Sequence, residues 1–275
     1  MNTFKLVLSD IDGTILDDHQ QVDQELVKEI ERLKEFGIPF VLTSARSPKG
    51  MSTIASQMGL TKNPLSCYNG AYLVNPSNNT SPVISSHELP TSEVQKILTF
   101  VQNNYPRVSA NLYSAANWYV QKIDSWVQEE ARITKINPTV IDLSNFIQTN
   151  PVHKLLLIGE TCIIQKINQQ LSKKNWANSN FVLSKENYLE VIDKSASKAQ
   201  ALKELSNYYQ TDLSKTIAIG DNFNDLPMIK EAGLGVAMAN APEEVKREAK
   251  VVTKSNNEGG VAAIVRKYLT EVNEN

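Results

Sequence analysis

Short apolar runs alternate along the chain with longer stretches in which apolar residues recur every three or four positions. Residues 4–8 form the first run, and residues 38–42 form the second. Between them, the apolar side chains from Val22 to Phe36 are spaced for one face of a helix, and Gly37 is placed to end it. This order of strand, helix and strand predicts a parallel sheet that is covered by helices on both faces.

The C-terminal third of the chain repeats the alternation. A helical pattern over residues 199–209 leads to an apolar run at residues 216–219, and a helix then extends to Gly233. The same order continues with strands predicted at residues 235–238 and 251–253, each followed by a helix. Both ends of the chain therefore contribute strands to one doubly wound sheet.

The middle of the chain follows a different pattern. Asn69-Gly70 is turn chemistry, and beyond it Ser92-x-x-Gln95 predicts the capping box of a helix. Residues 108–112 alternate between apolar and polar, as expected of a strand with one face covered. Strands of this kind predict an antiparallel sheet with helices on one side.

These patterns predict an α/β protein with a doubly wound, Rossmann-like parallel-sheet core and an inserted α+β domain. Residues 1–83 and 191–275 are assigned to the core, and residues 84–190 to the inserted domain, which is the cap that the family resemblance given below implies. A prior of roughly 150 residues per domain agrees with two domains in a chain of 275 residues.

Composition and charge narrow the class of partner. The chain carries 28 basic and 30 acidic side chains, a net charge of −2, so no positive field is expected to attract nucleic acid or an anionic membrane. The apolar runs are too short for a membrane span, and the first residues lack the pattern of a secretory signal. Two cysteines make neither a disulfide framework nor a metal-binding spacing. We expect a soluble cytoplasmic protein, a monomer or a weak homodimer, that binds a small molecule.

Two carboxylates follow the first predicted strand in Asp10-Ile11-Asp12-Gly13-Thr14. Residues two apart in an extended chain share a face, so both side chains can leave the sheet at its carboxyl edge, where open α/β sheets bind ligands. The simpler alternative is a capped turn, because Asp-Gly is common turn chemistry.

A second acidic group follows the strand at residues 216–219. Asp221 and Asp225 lie four residues apart, with Asn224 between them, in Gly220–Asp225. An N-cap with acidic residues near a helix dipole is the alternative. Two strand ends that bring acidic side chains to the same edge favour a hard cation, and magnesium prefers one or two carboxylates plus substrate phosphate oxygens.

Further polar groups are placed at the same predicted edge. Ser44 and Arg46 follow the second strand, and Lys198 lies at the start of a helix. Taken singly, each has a simpler interpretation: Ser44 as an ordinary loop residue and Lys198 as a solvent-exposed charge on a helix.

Together these motifs resemble the haloacid dehalogenase (HAD) superfamily, in particular its Cof-type phosphatases with a C2B-type cap. The Asp-x-Asp-Gly-Thr motif matches residues 10–14, and the Gly-Asp-x-x-Asn-Asp motif matches residues 220–225. The Thr/Ser motif is similar to Ser44, and the lysine motif to Lys198. The family commonly has Thr-Gly-Arg where this chain has Ser-Ala-Arg, so Thr43 is an alternative to Ser44. Two lesser Cof-like stretches cover residues 236–241 and 257–262.

The resemblance implies a role for each matching residue. Asp10 would attack phosphorus, and Asp12 would protonate the leaving oxygen and then activate water. Mg²⁺ would be held by Asp10, Asp221 and the backbone carbonyl of Asp12, with Lys198 adding a positive charge. The residues that would bind phosphate or substrate are Thr14, Ser44, Arg46 and Asn224. Asp225 would orient Lys198 or metal-bound water.

The chemistry of phosphate transfer agrees with a cation at this edge. A carboxylate approaching a phosphate dianion to about 4 Å meets roughly 4 kcal/mol of repulsion per charge at an effective dielectric constant of about 20. The sequence therefore predicts a Mg²⁺-dependent phosphatase for a small phosphorylated metabolite, most plausibly a sugar phosphate, with an aspartyl-phosphate intermediate. The alternatives are a sugar phosphomutase of related fold and a phosphate-accepting regulatory binding module.

Overall fold

The computed structural model describes residues 4–274 as strands and helices that alternate over much of the chain. The strands, in chain order, are β1 Leu6–Asp10, β2 Phe40–Thr43, β3 Leu65–Cys67, β4 Tyr72–Val74, β5 Val83–Ser86, β6 Ser109–Ser114, β7 Asn117–Val120, β8 Thr139–Val140, β9 Lys154–Ile158, β10 Ser179–Lys185, β11 Tyr188–Asp193, β12 Thr216–Gly220, β13 Leu234–Ala237 and β14 Val251–Val252. The α-helices are α1 Gln24–Glu35, α2 Pro48–Gln57, α3 Thr91–Asn104, α4 Ser125–Thr134, α5 Leu143–Phe146, α6 Thr161–Ser172, α7 Lys198–Tyr208, α8 Leu226–Glu231, α9 Glu243–Glu248, α10 Gly260–Val265 and α11 Glu271–Glu274.

Eight strands form one sheet in the order β14-β13-β12-β1-β2-β3-β4-β5. The six strands from β14 to β3 are parallel, and β4 pairs with β3 in the antiparallel direction. Because the N-terminal strand β1 lies between β2 and β12, the two ends of the chain meet in the centre of one sheet. The predicted α/β class with a parallel-sheet core is confirmed.

Helix α1 shows how local sequence specifies these elements. Asp23 caps its start by accepting a hydrogen bond from the Glu25 amide, and Leu26 and Ile30 are buried on its inner face. The helix ends at Glu35, and Gly37 follows with φ +66°, a left-handed conformation that suits glycine. The predicted helix and its end at Gly37 are confirmed.

Helix α7 packs against the central strand β1. Its apolar residues Ala201, Leu202 and Leu205 are buried in one cluster with Leu6 and Leu8 of β1. Fully burying a leucine contributes about 1.5–3 kcal/mol, so this packing fixes the helix on the sheet. As a result, the first residue of α7 is held close to the sheet's carboxyl edge.

A second sheet has the order β10-β11-β9-β6-β7-β8. Its neighbouring strands are antiparallel except for β7 and β8, which are parallel. Helices α3 and α6 bury their apolar residues, including Ile97 and Ile167, in one cluster with Leu112 and Leu155 of the sheet. This α+β arrangement agrees with the antiparallel sheet predicted for the middle of the chain.

The start of α3 corrects one prediction. The helix begins at Thr91 after Pro90, with no side-chain cap bond, so Ser92 lies inside its first turn. Gln95 donates to Thr99 on the same helix, and the predicted capping box is wrong. Glu93 instead accepts hydrogen bonds from beyond the helix, from the amide of Ala177 among others, because it is turned into the second unit.

The structure divides into two compact units. One takes in the chain up to Arg46, Met51–Ser85 and the chain from Ser197, and the other takes in Ser47–Gly50 and Ser86–Ala196. The sequence placed the cuts after residues 83 and 190, which fall inside β5 and β11. Strand β11 stays with the second unit because it pairs along its length with β10.

Among residues 4–274, no helix is both long enough and apolar enough to cross a membrane.

Candidate active site

The carboxyl ends of the central strands of the eight-stranded sheet bring the predicted site residues together. Strand β1 ends at Asp10, and its neighbours β2 and β12 end at Thr43 and Gly220. The chain passes from β1 to one side and returns on the other, so β1 and β12 border the point where the strand order reverses. Open α/β sheets bind ligands in the crevice at this point.

A buried lysine joins two carboxylates at this edge. The Lys198 Nζ lies 2.5 Å from Asp10 Oδ1 and 2.5 Å from Asp225 Oδ1. The Lys198 side chain is 1% exposed, and that of Asp225 is fully buried. Burial opposes the charged form of Lys198, yet the two carboxylates raise its pKa above the ordinary value, so the ammonium is retained.

Helix α7 presents Lys198 as its first residue. Ser197 caps the helix by accepting a hydrogen bond from the Gln200 amide. Gly70, with φ +96°, packs against the cap, and a Cβ at that position would lie 2.3 Å from the Ser197 carbonyl oxygen. The close approach requires glycine at position 70 and fixes where the lysine enters the site.

Asp225 is held on both of its oxygens. Its Oδ2 accepts hydrogen bonds from the amides of Asp221 and Asn222, each at 3.0 Å, while Oδ1 contacts Lys198. Gly220 makes room for it, since a Cβ there would lie 2.4 Å from the Asp225 side chain. Asp225 therefore ties the loop after β12 to the lysine.

Thr14 and Gly13 set the position of Asp221. The Thr14 hydroxyl donates to Asp221 Oδ1 at 3.0 Å. Gly13 has φ +76°, and a Cβ there would lie 2.4 Å from Asp221 Oδ2. Burial and the charge of Asp225 raise the pKa of Asp221 to about 6. Burial, again with the charge of Asp225, raises the pKa of Asp10, although Lys198 opposes that shift.

The acidic side chains are arranged to hold a cation. One oxygen each from Asp10, Asp221 and Asp225 lie within 4.8 Å of one another. With all three carboxylates ionised, Lys198 balances one charge and two negative charges remain. Because both Asp225 oxygens already accept hydrogen bonds, Asp10 and Asp221 are the better ligands. Carboxylate oxygens with a residual charge of two fit a hard divalent ion.

Asp12 is paired with Arg46. The guanidinium makes a bidentate contact, with Nε 2.9 Å from Oδ2 and Nη2 2.5 Å from Oδ1 of Asp12. This contact raises the pKa of Arg46, and the Asp12 side chain is about half exposed. Predicted as a ligand for phosphate or substrate, Arg46 binds the catalytic-acid candidate in this structure.

The two hydroxyls after β2 have different surroundings. Thr43 donates to Ser66 on the neighbouring strand at 2.9 Å in a buried position. Ser44 lies just beyond the strand, and its oxygen accepts from the amide of Arg46. The Thr43 hydroxyl is thus committed to the sheet, whereas Ser44 borders the site.

Asn224 and Asn69 meet next to Ser44. The Asn224 amide donates to Asn69 Oδ1 at 3.2 Å, and the Asn69 backbone amide donates to the Ser44 carbonyl. Sequence reasoning took Asn69 for an ordinary turn residue and so missed its contact with a site residue. Its φ of +56° was foreseeable, since asparagine tolerates the left-handed region, but the partner 155 residues away was not.

Comparison with known proteins defines the family. The model of the haloacid dehalogenase-like hydrolases matches residues 7–265. A Haemophilus influenzae protein named as a predicted phosphatase is 37% identical over 269 residues, which cover 98% of this chain and 99% of that protein. The 5-amino-6-(5-phospho-D-ribitylamino)uracil phosphatase of Bacillus subtilis is 28% identical over 274 residues, covering 96% and 97% of the two chains. A crystal structure of a haloacid dehalogenase-like hydrolase from Bacteroides thetaiotaomicron matches with a TM-score of 0.86 and 29% identity, covering 96% of this chain and 99% of that one.

The fold, the acidic site and these matches define a hydrolase class. The chain belongs to the haloacid dehalogenase-like hydrolase family. Within that family it is a phosphatase, as its full-length relatives are named. The resemblance drawn from its motifs is confirmed.

Proposed function

We propose that the protein is a Mg²⁺-dependent phosphatase that hydrolyses a small phosphorylated sugar or polyol through an aspartyl-phosphate on Asp10. The arrangement of Asp10, Asp221 and Asp225 around the single ammonium of Lys198 carries the proposal. With all three carboxylates ionised, it leaves a net charge of −2 at the carboxyl end of β1, where a divalent cation and a phosphate would meet.

Asp10, Asp221 and the backbone carbonyl of Asp12 would hold the Mg²⁺. When bound, the ion supplies positive charge that offsets the repulsion between Asp10 and the phosphate dianion. Lys198 adds a fixed positive charge beside the same carboxylate. Ser44 and Asn224 would donate hydrogen bonds to phosphoryl oxygens.

In the first step an Asp10 oxygen attacks phosphorus, and the bond between phosphorus and the ester oxygen breaks. Asp12, in its acid form, gives its proton to the leaving alkoxide, which departs as an alcohol. In the second step water attacks the phosphorus of the aspartyl-phosphate, and the Asp12 carboxylate accepts its proton. The bond to Asp10 then breaks, which releases inorganic phosphate and restores the Asp10 carboxylate and the acid form of Asp12.

Arg46 would take part through its contact with Asp12. Its guanidinium occupies both Asp12 oxygens in a bidentate contact. If the substrate phosphate draws Arg46 away, the Asp12 oxygens are left free for the proton transfer that the first step requires. This reconciles the predicted phosphate contact of Arg46 with its pairing in the structure.

The substrate class rests on a relative and on the resemblance to Cof-type enzymes. The Bacillus subtilis phosphatase named above acts on a phosphorylated ribityl compound, and it matches over 96% of this chain. A phosphorylated sugar or polyol is therefore the first class to test.

The proposal is tested by phosphate release. The purified protein is assayed with Mg²⁺ on sugar phosphates, polyol phosphates, nucleotides and phosphorylated cofactors. We expect release from one or more sugar or polyol phosphates, its loss in EDTA, and its loss in Asp10→Asn. Acid quench with ³²P-labelled substrate should leave label on the wild-type protein and none on Asp10→Asn. Absence of release from the whole panel, or normal turnover by Asp10→Asn, would overturn the proposal.

A further inference from the structure

The loop that carries Asp12 is fastened to the C-terminal part of the chain by two asparagine side chains. Asn240 Nδ2 donates to the Gly13 carbonyl at 2.8 Å, directly after Asp12. Asn256 Nδ2 donates to the Leu16 carbonyl at 3.0 Å in a buried position and to Asp18 Oδ1 at 3.2 Å. Both contacts join residues more than 200 positions apart along the chain.

The two asparagines also hold each other. The Asn256 backbone amide donates to Asn240 Oδ1 at 3.1 Å, so both ends of the Asn240 amide are used. The amide of Met238 bonds to the Gly220 carbonyl, which places this segment beside the end of β12. The pair therefore links the loops that follow β1 and β12, the two strand ends that supply Asp10 and Asp221.

The loop near Asp12 is also held by Thr14, whose hydroxyl donates to Asp221 Oδ1 and whose amide donates to the Ile11 carbonyl. Gly13 is in the left-handed conformation, and the Asp12 side chain is about half exposed with its ion pair to Arg46. Further along, Ile15 and Leu16 are buried and anchor the far side of the loop. The carbonyl of Gly13 is the main-chain group through which Asn240 can set the direction of the preceding residue.

We infer that Asn240 and Asn256 are positioning residues for Asp12, which they act on through the main chain of the loop at Gly13 and Leu16. The inference rests on the proposed function, because it assigns Asp12 the proton transfer. The side-chain amides of both asparagines are engaged by the protein itself. With the Mg²⁺ site saturated, we expect their effect mainly in steps in which the Asp12 proton matters.

Asn257 is a matched control. Its side chain accepts from the Asp18 amide and donates to Asp18 Oδ2, so both hydrogen bonds lie at the far end of the loop from Asp12. Asn240→Ala removes both hydrogen bonds of the Asn240 side chain, the one to the Gly13 carbonyl and the one from the Asn256 amide. Asn240→Asp retains the acceptor for the Asn256 amide but has no donor for the Gly13 carbonyl, so it separates the loop contact from the contact between the asparagines.

The test compares two substrates in the Mg²⁺-loaded full-length protein: an alkyl phosphate that the wild type hydrolyses, and 4-nitrophenyl phosphate. The nitrophenolate leaves without a proton, whereas an alkoxide needs one. Transfer of phosphate to Asp10 therefore depends on the acid role of Asp12 for the alkyl phosphate and not for 4-nitrophenyl phosphate. We expect Asn240→Ala and Asn240→Asp to lower kcat/KM about 10- to 100-fold for the alkyl phosphate and under about 3-fold for 4-nitrophenyl phosphate. Asn257→Ala should change neither value by more than about 2-fold.

Hydrogen exchange gives a second readout that needs no turnover. Peptides covering residues 11–17 should exchange faster in Asn240→Ala and Asn240→Asp than in Asn257→Ala. Residue 18 is left out because its amide donates to Asn257. Equal losses on both substrates, or unchanged exchange in residues 11–17, would overturn the inference. If the wild type releases phosphate from no ester, the proposed function fails instead, and the exchange result still decides whether the asparagines hold the loop.

Discussion

At the scale of single residues, the site depends on where charge is buried. Lys198 is surrounded by carboxylates and almost fully removed from water, whereas Asp12 and Arg46 remain partly exposed. A charge in the interior has no solvent to replace a lost partner, so its removal has consequences beyond the single contact. The exposed pair can exchange partners at lower cost.

Lys198→Met tests the buried charge. Removing the ammonium leaves the carboxylates of Asp10 and Asp225 close together without compensation, and we expect a loss of about 3–5 kcal/mol in the free energy of unfolding in EDTA. Turnover with Mg²⁺ should fall by at least about 100-fold. Urea unfolding and a phosphate-release assay measure the two effects.

Lys203→Met is the control on the same helix. Lys203 pairs with Glu231, and both side chains are about two-fifths exposed, so the pair contributes no more than about 1 kcal/mol. Similar losses of stability in the two variants would contradict the description of Lys198 as a buried, doubly paired charge.

At the scale of elements, glycines decide how closely helices and loops approach the sheet. Gly70→Ala would place a methyl group 2.3 Å from the Ser197 carbonyl oxygen, so helix α7 or the loop must shift. We expect a loss of more than about 2 kcal/mol in the free energy of unfolding, together with reduced turnover at temperatures where the variant is folded, because Lys198 moves with α7.

Gly37→Ala is matched to it in backbone conformation. Gly37 also has a positive φ, of +66°, but a Cβ there meets nothing within 4 Å. The substitution should cost about 1–2 kcal/mol of left-handed strain and leave turnover unchanged. Equal effects of both changes on turnover would show that the contact with Ser197 does not position the lysine.

His153 makes hydrogen bonds with residues of the second unit. Its Nδ1 accepts from the Ala115 amide in the turn between β6 and β7, and its Nε2 lies 3.0 Å from the Ser86 hydroxyl. Burial, with a smaller contribution from His87, lowers the pKa of His153 to about 4. The folded protein therefore holds this ring neutral.

This neutral histidine predicts a loss of stability in acid. An unfolded histidine binds a proton near pH 6.5 and the folded one only near pH 4, so the unfolded state carries more protons between these values. The free energy of unfolding should fall by up to about 3 kcal/mol as the pH drops from 7 to 4. His153→Gln should weaken this dependence, and His19→Gln, at an exposed position, should keep it. Urea unfolding at pH 7.5 and 5 provides the comparison.

At the scale of the whole molecule, the three carboxylates that could hold a metal ion all belong to one of the two units. A ligand that binds only the folded state stabilises it by about 2.7 kcal/mol at 100 times its dissociation constant. Mg²⁺ should therefore raise the thermal transition of the unit that contains Asp10 and leave that of the six-stranded unit in place. Calorimetry with Mg²⁺ and with NaCl at equal ionic strength distinguishes binding from screening.

Asp221→Asn should abolish the Mg²⁺ effect, since it removes one of the two proposed carboxylate ligands. A transition that still rises with Mg²⁺ in this variant would place the ion elsewhere. A rise of both transitions by the same amount in the wild type would show that the ion is not specific to the catalytic unit.

Much of the architecture followed from local pattern. The apolar runs at β1, β2 and β12 and the helix between the first two were readable because burial on both faces leaves a near-continuous apolar strand. Asp10 and Asp221 could be predicted as site residues because each lies at the carboxyl end of a predicted strand. The start of α3 was not. Ser92 suits a capping box, but the helix begins at Thr91 after Pro90, and Glu93 accepts a hydrogen bond from the amide of Ala177, 84 residues away.

The sequence by itself determined the α/β class, the inserted second sheet and the set of acidic and basic residues at one sheet edge, because these depend on periodicity and on position relative to strand ends. Only the tertiary structure decided which of these side chains contact each other. It paired Arg46 with Asp12, committed Thr43 to Ser66 and joined Asn240 to Gly13. Hydrogen bonds and ion pairs are made between groups far apart along the chain, and spacing in a sequence carries no information on which of several neighbours a side chain will meet.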